Sequence, residues 1–248
     1  MSVIKKGDIF PTNQGYSVSV IDYINCTKVL IEFNDDNKHQ ATVEAGNLRK
    51  GAIRNPYHPS VYGKGCFGAG DFVSSVNHKL TSEHQAWSSM MDRCYGEKTQ
   101  MKQPTYLGCS VHPDWLNFQN FAKWYTENEY YGLGYHLDKD ILFAGNKEYS
   151  SDKCVLVPKA INNLLIDSGA SRGEHPIGVS FYTERNKFTA ELKIDGKRTV
   201  IGYFDCPNEA YQAYKTAKEA YVKAKAMDWK DRIDPRVFTA LMNWRLEV

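Results

Sequence analysis

Between Tyr135 and Leu142 the chain reads Tyr-His-Leu-Asp-Lys-Asp-Ile-Leu. On an extended strand His136, Asp138 and Asp140 fall on one face, because successive side chains alternate. Two carboxylates so placed are hard oxygen donors of the kind Mg²⁺ and Mn²⁺ prefer. The imidazole beside them is a candidate general base. The interleaved Lys139 can donate to a phosphate or a leaving oxygen but does not readily activate water. A second group of polar residues follows some fifty positions on. Arg185, Lys187, Lys193, Lys197 and Arg198 crowd one short stretch, enough cations to hold phosphates. Ser180, Tyr182 and Arg185 stand at its start, and Tyr182 and Arg185 could reach base edges; arginine is the commonest specific reader of guanine. The plainer reading of both groups is a solvated cluster of surface charge.

The elements that must position these residues can be read from periodicity. A strand over Tyr135–Leu142, a loop, a strand over Lys153–Val157 and a helix from about Pro158 would carry the first group. The second lies on three strands, Ile177–Tyr182, Lys187–Ile194 and Thr199–Phe204. Asp195-Gly196 supplies the hairpin turn between the last two. A helix from about Pro207 to Ala226 follows. Its Ala210, Ala213, Ala217, Ala220 and Ala224 recur at three- and four-residue steps and predict a narrow face that lies close on a sheet.

Residues 178–217 resemble an AP2-type DNA-binding domain. The likeness is carried by Gly178-Val179, Lys187-Phe188-Thr189-Ala190-Glu191, Ile201-Gly202-Tyr203-Phe204-Asp205 and the helix residues Glu209-Ala210, Ala213-Tyr214 and Ala217. That family reads the DNA major groove with its sheet, so the resemblance implies duplex DNA as partner. Ser180 stands where the family has an arginine, so the family's base preference does not transfer.

Residues 133–165 resemble the ββα-metal core of HNH endonucleases, in particular the phage type joined to an AP2 domain. Trp87, Arg93-Cys94-Tyr95, Trp115 and Phe118 resemble the lead-in of such proteins. The resemblance implies a metal ligand at Asp138 and a second at Asn162 on the helix. One divalent ion, Mg²⁺ or Mn²⁺, is then the expected cofactor, with Asp140 as a possible third oxygen ligand. The family's general-base histidine falls at Lys139. Either His136 takes over as base or Lys139 serves as a phosphate clamp.

The whole chain bounds these readings. At 248 residues, with 42% hydrophobic and 24% charged residues, it suits two or three small folded domains. A formal net charge of +2 is too mild to argue nucleic-acid binding globally, so the case rests on local patches. No apolar run is long enough to span a membrane, and the first residues lack a signal-peptide core, so a cytoplasmic protein is expected, in an infected bacterial cell if the phage resemblance holds. The six cysteines are scattered with no C-x-x-C pair. Cys109 and His112 have ligand spacing but no evident partners, so no structural zinc is expected.

The expected fold is α+β. Residues 1–70 form a small β-barrel or SH3-like domain with a Gly/Pro-rich linker or arm, and resemble the small β domain preceding the nuclease in some phage proteins. Residues 80–167 form the HNH-like core with preceding helices near Glu83 (Ser82 as cap) and over Pro113–Glu127. Residues 174–226 form the AP2-like sheet and helix after a polar linker, Asp167–His175, and residues 227–248 a final helix. The leading function is a metal-dependent homing or nicking endonuclease targeted by the AP2-like domain. The alternatives are a DNA-binding regulator or inhibitor of a host system that has lost catalysis and has a host protein partner, and a protein-interaction or structural protein.

Overall fold

A computed structural model describes residues 3–165 and 174–246. The linker expected at Asp167–His175 therefore lies almost wholly outside the described residues. The architecture is mixed α+β with several small sheets, and the chain divides into two compact units, Met1–Thr126 and Glu127–Val248.

The first unit begins with a four-stranded antiparallel meander, β1 (Ile9–Pro11), β2 (Ser17–Asn25), β3 (Lys28–Phe33) and β4 (Gln40–Val43), in sequence order. The alternation in β3 buries Val29, Ile31 and Phe33 completely. This sheet is not the expected barrel. Its edge strands have three and four residues, too short to curl round and pair. The apolar face is closed instead by Ile4, Ile53 and the helix α1 (Ala45–Arg49), through Ala45 and Leu48.

The Gly/Pro-rich stretch after it is an arm. The Cys66 amide donates to Leu116 O and Phe118 N to Cys66 O, while the Gln119 carboxamide holds the Phe72 amide and carbonyl. A small hairpin, β5 (Ser75–Val76) and β6 (Lys79–Leu80), leads to α2 (Ser82–Tyr95). The cap of α2 is Thr81, one residue before the expected Ser82: its hydroxyl accepts from the His84 amide. Trp87, Met90, Met91 and Cys94 form the buried stripe, and the Trp87 indole donates to Trp115 O at 2.7 Å. After α3 (Glu97–Lys102) and β7 (Ser110–Val111), the expected second helix comes in two pieces, α4 (Pro113–Leu116) and α5 (Phe118–Glu127). The break is Asn117, which is extended and bridges to Cys66; the arm's hydrogen bonds replace one turn of helix.

The second unit holds both candidate groups. β8 (His136–Asp138), β9 (Glu148–Tyr149) and β10 (Val155–Val157) precede α6 (Lys159–Asn162), and β8 pairs antiparallel with β10, Asp138 opposite Val155 and His136 opposite Val157. Then come β11 (Val179–Tyr182), β12 (Lys187–Ile194) and β13 (Lys197–Phe204), an antiparallel sheet in that order, and α7 (Pro207–Trp229) and α8 (Pro235–Asn243). Asp195 and Gly196 both take positive φ in the β12–β13 turn, as an Asp-Gly hairpin requires.

The long helix α7 has two partners. Ala210, Ala213, Tyr214 and Ala217 pack on the sheet with Val179, Phe188, Ala190, Leu192, Ile201 and Phe204. Two turns on, Val222 and Ala226 pack instead with Ile141, Val155, Val157, Ile161 and Leu164, and with Val237 and Leu241 of α8. Each such fully buried Val, Ile or Leu contributes on the order of 1.5–3 kcal/mol. The change of partner rotates the buried stripe, so Ala220 and Ala224, expected on the sheet face, are exposed.

Candidate functional site

The strand expected to run from Tyr135 to Leu142 stops at Asp138. Its own side chain ends it: Asp138 Oδ1 accepts from the amides of Asp140 at 2.9 Å and Ile141 at 2.7 Å, a local side chain-to-backbone turn that competes with further sheet. His136 and Asp138 remain on one face of β8, His136 exposed and Asp138 half-buried. Asp140 does not join them. It lies past the strand end, where its Oδ1 accepts from Lys139 Nζ at 2.6 Å.

Lys139 is not a solvent-facing clamp. It is only 5% exposed, and its ammonium also donates to Asn146 O at 2.7 Å and lies over the Tyr149 ring. Asn146 completes the enclosure, donating to Lys139 O and Glu148 O and accepting from the Glu148 amide. The ammonium thus pins the loop between β8 and β9, and leaves no open path to a phosphate.

Burial pushes the Asp138 carboxyl above its ordinary range, against the pull of its two amide hydrogen bonds. Burial likewise pushes the neighbouring Cys154 thiol up to about 12, so it is a packed thiol and no thiolate ligand. Helix α6 lies against β8 and carries Asn162, half-buried, whose carboxamide bonds to no described residue. Among the described residues no group of three or more His, Cys, Asp or Glu side chains converges as a metal site. Among the described residues, the candidate oxygens with no hydrogen-bond partner are Asp138 Oδ2 and the Asn162 carboxamide. That set suits a largely hydrated Mg²⁺ or Mn²⁺, which one or two protein oxygens can hold, and not a four-ligand zinc. His112, paired with Cys109 by spacing alone, caps α4 by accepting from the Asp114 amide.

The second group lies on the three-stranded sheet. Its register places Ser180, Thr189 and Tyr203 in one row, Tyr182 beside Lys187, and Lys193 opposite Arg198. These residues occupy the face turned away from α7, since Ala190 and Leu192 of the same strand face the helix. An irregularity between Ala190 and Glu191 takes up Ile201 as an extra residue, keeping Ile201 inward and turning Val200 outward. Val200 is 45% exposed. Arg185, at the end of a short 3₁₀ turn closed by left-handed Asn186, lies over the Tyr203 ring at 4.4 Å, and Tyr182 packs beside Tyr203.

Not all the expected cations are equivalent. Lys187 pairs with Asp205 at 2.9 Å and Arg198 with Glu191 at 2.5 Å. Lys193 is exposed and pairs with no described carboxylate. Lys197 is across from Ile194, so it lies on the helix side of the hairpin tip and not with the others. Tyr203, Val200 and Glu191 were missed as members of this face. The Asp-Gly turn fixes the register, and counting back from it by twos places all three.

No protein-family model, curated protein or solved structure matches the chain.

Proposed function

We propose that this chain binds duplex DNA through the outer face of the β11–β12–β13 sheet. The observation that carries the reading is the Arg185–Tyr203–Tyr182 cluster on a sheet whose other face is sealed by α7. A stacked guanidinium is held ready at little entropic cost and keeps its donors for base edges or phosphates. Sheets of two or three strands are known to enter DNA grooves. Exposed Lys193, and Arg198 once a phosphate displaces Glu191, supply backbone contacts. A gel-shift series with the full chain tests this: affinity should fall steeply with salt as counterions are released. Arg185→Ala should flatten discrimination between sequences, whereas Lys193→Gln should weaken all duplexes alike. Salt-independent binding would rule the reading out.

A second reading has its own support. The order β8, β10, α6, with His136 and Asp138 side by side and α6 against β8, is that of a ββα-metal nuclease, and favours a Mg²⁺- or Mn²⁺-dependent endonuclease of the phage HNH type. A divalent ion there would polarise the scissile phosphate and stabilise the leaving oxygen. Asp138 and Asn162 would hold it, and exposed His136 would take the proton of the attacking water. Plasmid nicking with each ion decides it. If none supports nicking while the chain still shifts DNA, the DNA-binding regulator is the surviving function; if neither is seen, an interaction protein is. Among the described residues no helix is long and apolar enough to cross a membrane.

A further inference from the structure

The outer face of the β11–β12–β13 sheet is polar, with one exception. Hydroxyl, tyrosine, lysine, arginine and glutamate side chains fill its rows, and Val200 is the one aliphatic side chain among the described residues there. The extra residue in β13 holds the larger Ile201 in the core and turns Val200 out. β13 is the edge strand of the sheet, and Val200 belongs to neither apolar core of the second unit.

A lone exposed valine is ordinary on a protein surface. This one has a particular setting. Glu191 stands across from it, and Arg198 is the preceding outward residue on its own strand. The neighbouring row holds Thr189 and Tyr203, and the Tyr203 ring carries the Arg185 guanidinium at 4.4 Å. The two rows are two residues apart on β12, about 7 Å, which spans two base steps of about 3.4 Å each. A β-branched side chain has few rotamers to lose, so Val200 presents its methyl groups at little entropic cost.

In the major groove the base edges offer one apolar group, the C5-methyl of thymine. We infer, resting on the DNA reading above, that Val200 reads a pyrimidine C5-methyl group within about three base steps of the guanine read by Arg185. Thymine supplies that methyl in unmodified DNA and 5-methylcytosine supplies it in methylated DNA; plain cytosine lacks it. Val200 therefore sets which base is preferred, while the cations set how strongly any duplex is held.

The test begins with a pool of randomised duplexes from which the full chain enriches its preferred site. Each thymine of that site is then replaced in turn by deoxyuridine, which removes the methyl and keeps the pairing. One position within reach of the selected guanine should lose about three- to fivefold in affinity, the scale of one buried methyl group. At that position 5-methylcytosine should bind more tightly than cytosine, which identifies the methyl and not the rest of thymine as the feature read. Val200→Ala should bind the thymine and deoxyuridine duplexes equally, with the salt dependence of wild type and an unchanged circular dichroism spectrum. If that variant fails to fold, the deoxyuridine scan on wild type decides alone. A selected site with no thymine in reach, a scan with no sensitive position, or a sensitivity that persists in Val200→Ala overturns the inference and leaves DNA binding standing. A chain that shifts no duplex removes the DNA reading, and this inference with it.

Discussion

Replacing Lys139 should damage folding and not chemistry. Its ammonium makes two short charged hydrogen bonds, to Asp140 Oδ1 and Asn146 O, and each such bond contributes about 1.5–3 kcal/mol. Part of that offsets the cost of taking the ammonium out of water, and half-exposed Asp140 can rehydrate, so the net loss on Lys139→Ala should be about 2–4 kcal/mol. At about 2–4 °C per kcal/mol for a chain of this size, the melting temperature should fall by roughly 4–16 °C. Lys139→Met keeps the aliphatic stem and its contact with Tyr149, and should lose about half as much. Lys139→His, which restores the residue expected of an HNH enzyme, should also destabilise, because an imidazole is too short to reach Asn146 O. Thermal melts followed by circular dichroism measure all three, with DNA gel shifts on the folded fractions. A Lys139→Ala protein that melts with the wild type but loses DNA binding or nicking would refute the loop-pinning role and return Lys139 to the phosphate.

Three further outcomes follow from particular contacts. Asp138→Asn keeps an oxygen for the Asp140 and Ile141 amides and removes a buried charge, whereas Asp138→Ala should cost about 1–2 kcal/mol by orphaning both amides. Because folding raises the Asp138 pKa, the native state holds its proton longer than the unfolded chain, so this group lowers stability as pH rises from the ordinary carboxylate value through the folded one. In urea titrations Asp138→Asn should therefore match or exceed wild type at pH 7 and lose that advantage in acid; an advantage that grows on acidification would contradict the shift. Gly178→Ala should lose about 2–4 kcal/mol on thermal melting, since φ is +75° and a Cβ would lie 2.1 Å from Tyr214 Cδ2; an unchanged melt would mean that Tyr214 can move aside.

The sequence made some of this plain and hid the rest for physical reasons. The bounds of β3 and β12 follow from strict alternation, and the Asp-Gly turn sets the register of the β12–β13 hairpin. His136-Leu-Asp138-Lys-Asp140 alternates just as well, yet is half strand and half turn, because an aspartate can satisfy nearby amides itself. Periodicity cannot tell the two apart, so alternation puts Asp140 on a face it does not share. Local spacing reads Lys139 as a phosphate clamp or a surface charge and not as a buried pin, because its partner carbonyl belongs to Asn146, seven residues on in a loop. The small-residue face of α7 was legible only as far as Ala217. Beyond it the helix answers to a different core, which local spacing does not report.

That shared helix determines what can be cut apart. Residues 174–226 would carry Val222 and Ala226 into water, and residues 127–165 would lose the wall that covers Val155, Val157 and Ile161. A gene split at the linker thus gives two fragments that each lack part of their interior, although the sequence reads there as two exchangeable cassettes. The β11–β12–β13 sheet and the β8–β10 hairpin both pack on α7, so they should melt together. Residues 127–248 should show one calorimetric transition, and shuffling either half onto another protein requires taking α7 whole.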